Sequence, residues 1–318
     1  MTTTALSTTT GRADHPDRGR ARVLWVACGA HALHDGLTDT LYLLLPILQT
    51  EFALSYAAIG ILRALYAGAM AGLQVPTAKM TQWLGGARML AAGTAVAAIA
   101  YLGLGLSTSC AMLAVALVIG GIGSSTQHPI ASTLVAAAYS GQRSRGALGT
   151  YNFAGDLGKM ALPSIAAGLI MVMSWRSTAM TVSLIGLAGA GAILLFLSRL
   201  PTTQCSGTDA PLRDPKAGER SYPPRRGFLL LLAIGIIDSA TRMGFLTFLP
   251  FLLRAKGAGL SEIGVALTLV FAGARPGSWS AASPGRVWEC CRRCSSPKVL
   301  RRRASWLCFR CRSARRWH

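Results

Sequence analysis

The segment from Ala30 to Asp39 sets His31, His34, Asp35 and Asp39 among apolar residues. The i, i+4, i+8 spacing of His31, Asp35 and Asp39 stacks them on one helical face, with His34 on the adjoining edge. Imidazoles and carboxylates held together away from water have the chemistry of a proton or cation relay. The competing reading is a structural network that ties this helix to its neighbours. A second constellation is Gln127-His128-Pro129, preceded by Gly120, Gly121 and Gly123. The glycines permit close backbone approach and Pro129 removes one helical hydrogen bond, so the polar pair reads either as a substrate contact or as part of a packing kink. A third runs through Tyr151, Asn152, Gly155, Asp156, Gly158, Lys159 and Pro163. Asp156 and Lys159, at i and i+3, are spaced for an ion pair, more structural than catalytic in character. Asp238 and Arg242 repeat an acid-to-base pattern at i and i+4. Arg63 has no obvious local partner, which leaves pairing across a bundle or snorkelling.

Such groups need elements that hold them in a low dielectric, and the composition says which. Of 318 residues, 52% are hydrophobic and only 14% charged, and the mean hydropathy is +0.43. A bilayer core about 30 Å thick requires about 20 predominantly apolar residues per helix. The chain supplies such spans at about Val23–Leu48, Ala57–Pro76, Met89–Leu106, Ala111–Ala138, Gly146–Met173 and Ser177–Leu197. A polar, Pro-rich break follows from Arg199 to Arg226, then a seventh span at about Gly227–Leu253 and the start of an eighth near Ile263. The expected architecture is an all-α polytopic membrane protein. It has a cytosolic tail over 1–22, a six-helix bundle over 23–198, a cytoplasmic linker over 199–226, and the opening of a second bundle over 227–274.

The net charge of +20 resembles a nucleic-acid signal until it is located along the chain. Between Arg275 and His318 twelve Lys/Arg face one Glu, so this stretch carries +11 and the rest only +9. Fourteen basic residues of the body lie on one side of the expected spans: Arg12, Arg18, Arg20, Arg22, Lys79, Arg88, Arg143, Arg145 and six in the linker. Arg176, Arg254 and Lys256 alone lie on the other. Basic loops face the cytoplasm, which places the N-terminus and linker there and the chain in the inner (plasma) membrane. Residues 1–22 lack the apolar core of a signal peptide. No metal-protease motif, phosphate loop or nucleophile elbow occurs in the body, so neither an enzyme nor a cofactor or resident metal is expected.

At an offset of 204 residues Leu45-Pro46 matches Leu249-Pro250, Ile59-Gly60 matches Ile263-Gly264, and His34 falls on Asp238. Parallel six-helix halves are the repeat of one large transporter class. With the helix count and the basic linker, the chain resembles the major facilitator superfamily. HALHDGLTDTLYLLLP, GGIGSSTQHPIAS and GTYNFAGDLGKMALP resemble its fosmidomycin-resistance-like efflux branch. The resemblance covers about Val23 to Ala274 and implies twelve helices, of which this chain shows seven and a fraction. It also departs in the loop after the second span, where TAKMTQWLGGARM keeps Gly85 and Arg88 but no Asp. The resemblance implies a central cavity lined by the first, fourth and seventh helices, which would bring His128 near Asp35. The glycine and proline pattern around Gly155, Gly158 and Pro163 resembles that of the superfamily's antiporters. The implied function is secondary transport of a small organic solute, as proton-coupled efflux of a drug or anionic metabolite. Proton-coupled uptake by a symporter is the alternative. The implied partners are the solute, protons and the lipid bilayer, without nucleic acid; oligomeric state is left open.

The tail from 275 to 318 belongs to none of this. Cys291-x-x-Cys294 and Cys308-x-x-Cys311 have near zinc-ribbon spacing, the signature of a membrane-anchored zinc or nucleic-acid module. Another account explains the composition better. Trp and Cys codons begin with TG, so a frame one base earlier reads NTG there, encoding Leu, Val or Met. Arg codons of the CGN type become NCG, encoding Ser, Pro, Thr or Ala. The shift converts a tail rich in Arg, Cys and Trp into aliphatics among small residues, which is membrane-helix composition. A frameshift near codon 274 is the expectation, with the basic charge and both CxxC pairs as accidents of frame; the product then lacks most of its second bundle and is not expected to transport by alternating access unless a partner supplies the missing helices.

Overall fold

Long apolar stretches with few interior breakers become helices, because inside a bilayer every backbone polar group must bond within its own segment. A computed structural model describes residues 16–139, 141–197 and 225–273, all within one unit, Met1–Arg275. The described residues form helices alone: α1 (Pro16–Glu51), α2 (Tyr56–Leu84), α3 (Gly86–Leu106), α4 (Cys110–Ser124), α5 (Gln127–Ala138), α6 (Gly141–Val172), α7 (Trp175–Leu197), α8 (Arg225–Ala255) and α9 (Leu260–Gly273). Six spans are long and apolar enough to cross a membrane, with α4 and α5 counting as one, Cys110–Ala138. At 36 residues α1 is long enough but is not among them, because its imidazoles and carboxylates dilute its apolar content. The sequence-expected spans correspond in order to α1, α2, α3, α4 with α5, α6, α7, α8 and α9. The linker up to residue 224 and the tail, with its CxxC pairs and the expected change of frame, lie outside the described residues; the linker's last two residues, Arg225 and Arg226, already belong to α8.

Three of the differences from the expected boundaries have a clear physical reason. Helix α1 begins at Pro16, inside the expected tail, where proline's fixed φ and missing N–H suit a first helical turn. Helix α2 does not stop at Pro76 but continues to Leu84, so Lys79 stands on a helix. It ends at Gly85, whose φ of 78° is the left-handed conformation glycine tolerates and whose N–H bonds to Thr81 O. The fourth span is broken at Ser125–Thr126, upstream of the proline held responsible for its kink. Pro129 lies in the first turn of α5, where its missing N–H leaves Ser125 O without its helical donor. The Thr77 hydroxyl of α2 lies 3.3 Å from that oxygen and 2.7 Å from Leu73 O.

Within the unit α1 packs chiefly on α6, α3 on α7 and α4, α2 on α4, and α9 on α6. The glycines singled out in α4 sit at such crossings: a Cβ at Gly121 would overlap Tyr66 O, and one at Gly123 would overlap Ala97 N. The buried core falls into two clusters. One contains Leu37–Leu48 segments of α1 with Tyr101, Leu113, Leu162, Val182 and Ile263. The other contains Val23, Ala27 and Ala30 of α1 with Leu90, Ile130, Tyr151 and Ile193. Between them, on α1, α4–α5 and α6 alike, lies a polar layer.

The offset of 204 residues recurs in the helix ends. Glu51 and Ala255 close α1 and α8, and Tyr56 and Leu260 open α2 and α9, each pair 204 apart. Pro46 and Pro250, also 204 apart, lie inside α1 and α8. Arg254 near the end of α8 donates to Pro46 O (2.9 Å) and to Thr50 Oγ1 (3.0 Å), tying the two equivalent helices together.

Candidate functional site

The polar layer is built on the α1–α6 crossing. A Cβ at Gly158 would overlap Ala32 O, and one at Gly155 would stand 2.6 Å from His31 Cε1 and 2.7 Å from Asp35 Oδ2. These two glycines therefore let α6 approach until His31 and Asp35 lie directly on its backbone. His31 Nδ1 is 2.9 Å from Tyr151 O. A carbonyl can only accept, so Nδ1 carries hydrogen and fixes the ring. Its other nitrogen, Nε2, lies 3.2 Å from Asp35 Oδ2. This is hydrogen-bond distance, with the carboxylate as the acceptor.

Lys159 lies 3.2 Å from the same Asp35 Oδ2 and 3.3 Å from Asp156 Oδ1. The expected i, i+3 pair is present, but its cation also serves Asp35 on the facing helix. His34 Nε2 is 3.9 Å from Asp35 Oδ1, at the edge of ion-pair distance. His128 is brought from α5 to this group, its ring edge-on to those of His31 (5.4 Å) and His34 (5.1 Å). The Tyr151 ring stacks on His31 at 4.1 Å.

Ligand atoms of His31, Asp35 and His128 lie within 4.8 Å of one another, the composition of a transition-metal site. The Lys159 ammonium already on Asp35 opposes a divalent cation there.

Asp39, next on the α1 face, does not join this chain. It is buried, and its Oδ2 has no hydrogen-bond partner. Asp238 and Arg242 are 3.8 Å apart and largely exposed on α8. Gln127 is buried and Asn152 is exposed.

A cavity of about 700 Å³ opens beside the layer. His34, Asp35, Asp39, His128, Lys159 and Arg242 line it; Gln127, Tyr151 and Asn152 do not. Its remaining polar wall is a group the sequence reading did not assemble. Arg63 of α2, only 5% exposed, donates through Nη2 to Tyr42 Oη (2.9 Å) and lies over the rings of Tyr42 (4.8 Å) and Tyr66 (4.9 Å). Tyr66 Oη is within bonding distance of Thr38 Oγ1 (3.0 Å) and Ser124 Oγ (2.7 Å). Arg63 Nε and Nη1 have no hydrogen-bond partner, so the residue is caged by aromatic faces instead of a carboxylate. Its i, i+3 spacing from Tyr66 was the one sequence signal for this cage. Tyr42 comes from another helix and gave none.

A family model described as the Major Facilitator Superfamily matches residues 27–286. The chain belongs to the Major Facilitator Superfamily. Among solved structures it is similar to a bacterial homologue of the human lysosomal transporter Spinster in two inward-facing conformations. Against the occupied one the TM-score is 0.65 at 19% identity, covering 84% of this chain and 62% of that one. Against the unoccupied one the TM-score is 0.61 at 19% identity, covering 83% and 60%. This superfamily chain thus spans less than two thirds of the length of either. At that identity the likeness is one of fold. No curated protein matches the sequence. In superfamily transporters, substrate and coupling-ion sites lie near the bilayer midplane where the two repeats meet. Here α1 of the first repeat and α8 of the second both line the cavity.

Proposed function

We propose that this chain is the first bundle and the opening of the second of a secondary transporter of a small organic solute, coupled to protons through His31 and Asp35, and that it completes no transport cycle without the rest of the second bundle. The observation that carries the reading is the 3.2 Å contact between His31 Nε2 and Asp35 Oδ2, with Nδ1 engaged by Tyr151 O. An imidazole and a carboxylate so placed are suited to share a proton, and Lys159 has Asp156 as a second partner when Asp35 changes charge. His128, exposed on the cavity side, supplies the step between cavity water and the pair. A volume of about 700 Å³ suits a solute of drug or metabolite size. The Arg63 guanidinium in its wall, bonded to Tyr42 and to no carboxylate among the described residues, supports an anionic one.

The glycines at 155 and 158 and the three quoted motifs favour efflux and the fosmidomycin-resistance-like branch. Alternating access needs two bundles, and the described residues supply the first with two helices of the second. We take the frame one base earlier after codon 274 to encode the remainder.

The test is transport by membrane vesicles carrying the twelve-helix chain with that frame restored. Asp35→Asn and His128→Ala are expected to abolish proton-linked flux while membrane insertion stays normal. Normal proton-linked flux in both variants would return these residues to a structural role.

A further inference from the structure

A second cavity, of about 570 Å³, lies away from the polar layer between α1 and α7. Arg22, Trp25, Gly29 and Leu33 line it from α1, with Gly189 and Phe196 across it on α7. We propose that this groove binds one anionic phospholipid, with an acyl chain between the helices and the phosphate on Arg22.

Its length fits. From Arg22 to Leu33 the groove follows eleven residues, about 16 Å at 1.5 Å per residue, and half of a hydrocarbon core of about 30 Å is about 15 Å. Its polarity runs in the right direction. Arg22 and Trp25 are both exposed at one end, and a cation with an amphipathic aromatic is the pairing found at the membrane–water boundary. Every other lining residue is apolar or glycine. The inner end is closed by Leu33, which fills the space left by Gly189, where a Cβ would overlap Leu33 Cδ2.

Gly29 keeps the wall of the groove open. Glycines of α6 at the α1 crossing are there because a Cβ would collide, whereas a Cβ at Gly29 would meet nothing within 4 Å. Helix packing does not require glycine at this position. Its absence of a side chain is what leaves the groove open.

The mouth chooses the occupant. A guanidinium presents a planar fork matched to phosphate oxygens, and anionic lipids concentrate where basic residues flank a span. A second copy of the chain, by contrast, would bury Arg22 against an apolar face with no counter-charge.

The experiment is native mass spectrometry of the detergent-purified full chain, offered phosphatidylglycerol and phosphatidylcholine with identical acyl chains. One phosphatidylglycerol per chain should be retained, at least tenfold more strongly than phosphatidylcholine. Gly29→Leu, and independently Ala192→Leu on the facing wall, should lower retention of both lipids about tenfold with unchanged thermal unfolding. Arg22→Gln should abolish the preference between them. Equal retention of the two lipids by the unaltered chain, or undiminished retention in both leucine variants, would overturn the proposal. The readout is binding alone and does not depend on whether the protein couples solute to protons.

Discussion

Asp35 carries the site because three groups converge on it. His31 and Lys159 are each 3.2 Å from Oδ2, and His34 is 3.9 Å from Oδ1. A charge at bilayer depth costs about 2.5–3.5 kcal/mol on insertion scales, so each member depends on the others for its place. Lys159 is the member whose loss should be felt in stability, since it is the shared partner of two carboxylates on facing helices. Lys159→Met should destabilise the bundle by on the order of 3 kcal/mol, and in an Asp156→Asn background by distinctly less. Denaturant titration in detergent reads both values, and equal losses would mean that Asp156 is not a working partner. Half of this was legible in the sequence: Asp156 and Lys159 are neighbours on one helix by spacing alone. The bond from Lys159 to Asp35 joins residues on α6 and α1, and no local pattern encodes it. The Arg63 cage was illegible for the same reason, because Tyr42 and Arg63 belong to different helices.

Among the helices, the α1–α6 crossing positions the site, and its glycines divide into those that touch and those that do not. Gly158→Ala would drive a Cβ into Ala32 O and force the helices apart, costing about 3 kcal/mol. Gly168→Ala, in the same helix but with nothing within 4 Å of the added carbon, should be neutral or stabilising by up to about 1 kcal/mol. Thermal unfolding of the two variants side by side checks the crossing; similar values would show that α6 does not approach α1 as described. In the sequence Gly155 and Gly158 carried only a family resemblance, which does not say what they admit. The sequence reading also attributed the kink of the fourth span to Pro129, whereas the break falls at Ser125–Thr126. A proline shows which hydrogen bond is lost, here that of Ser125 O. Where the helix gives way depends on the neighbours, here Thr77 of α2.

At the scale of the molecule, the spans were readable because a bilayer imposes a length and an apolar content that no other environment demands. The two-bundle plan was readable from a few identities at an offset of 204, which the helix ends of α1 with α8 and α2 with α9 repeat. Helix order around the cavity, the packing of α9 on α6 and the α1–α7 groove were not, because apolar faces look alike in sequence. Fourteen basic residues against three set the expected orientation. Reporter fusions near Lys216 should therefore give a cytoplasmic signal and those near Glu51 an external one, and the opposite pattern would reverse the topology. Sequencing the gene around codon 274 should show apolar spans in the frame one base earlier. An early stop in that frame would restore weight to the CxxC pairs as a zinc module.

The central claim is that solute movement through the cavity displaces the proton held between His31 and Asp35. Its most direct measurement uses everted membrane vesicles carrying the twelve-helix chain, energised to acidify the lumen and monitored with an internal pH dye. A panel of small organic anions is added one at a time. At least one anion should release the proton gradient from vesicles with the unaltered protein, and the release should vanish with Asp35→Asn inserted at equal level. Release of the same size from the Asp35→Asn vesicles would contradict the account.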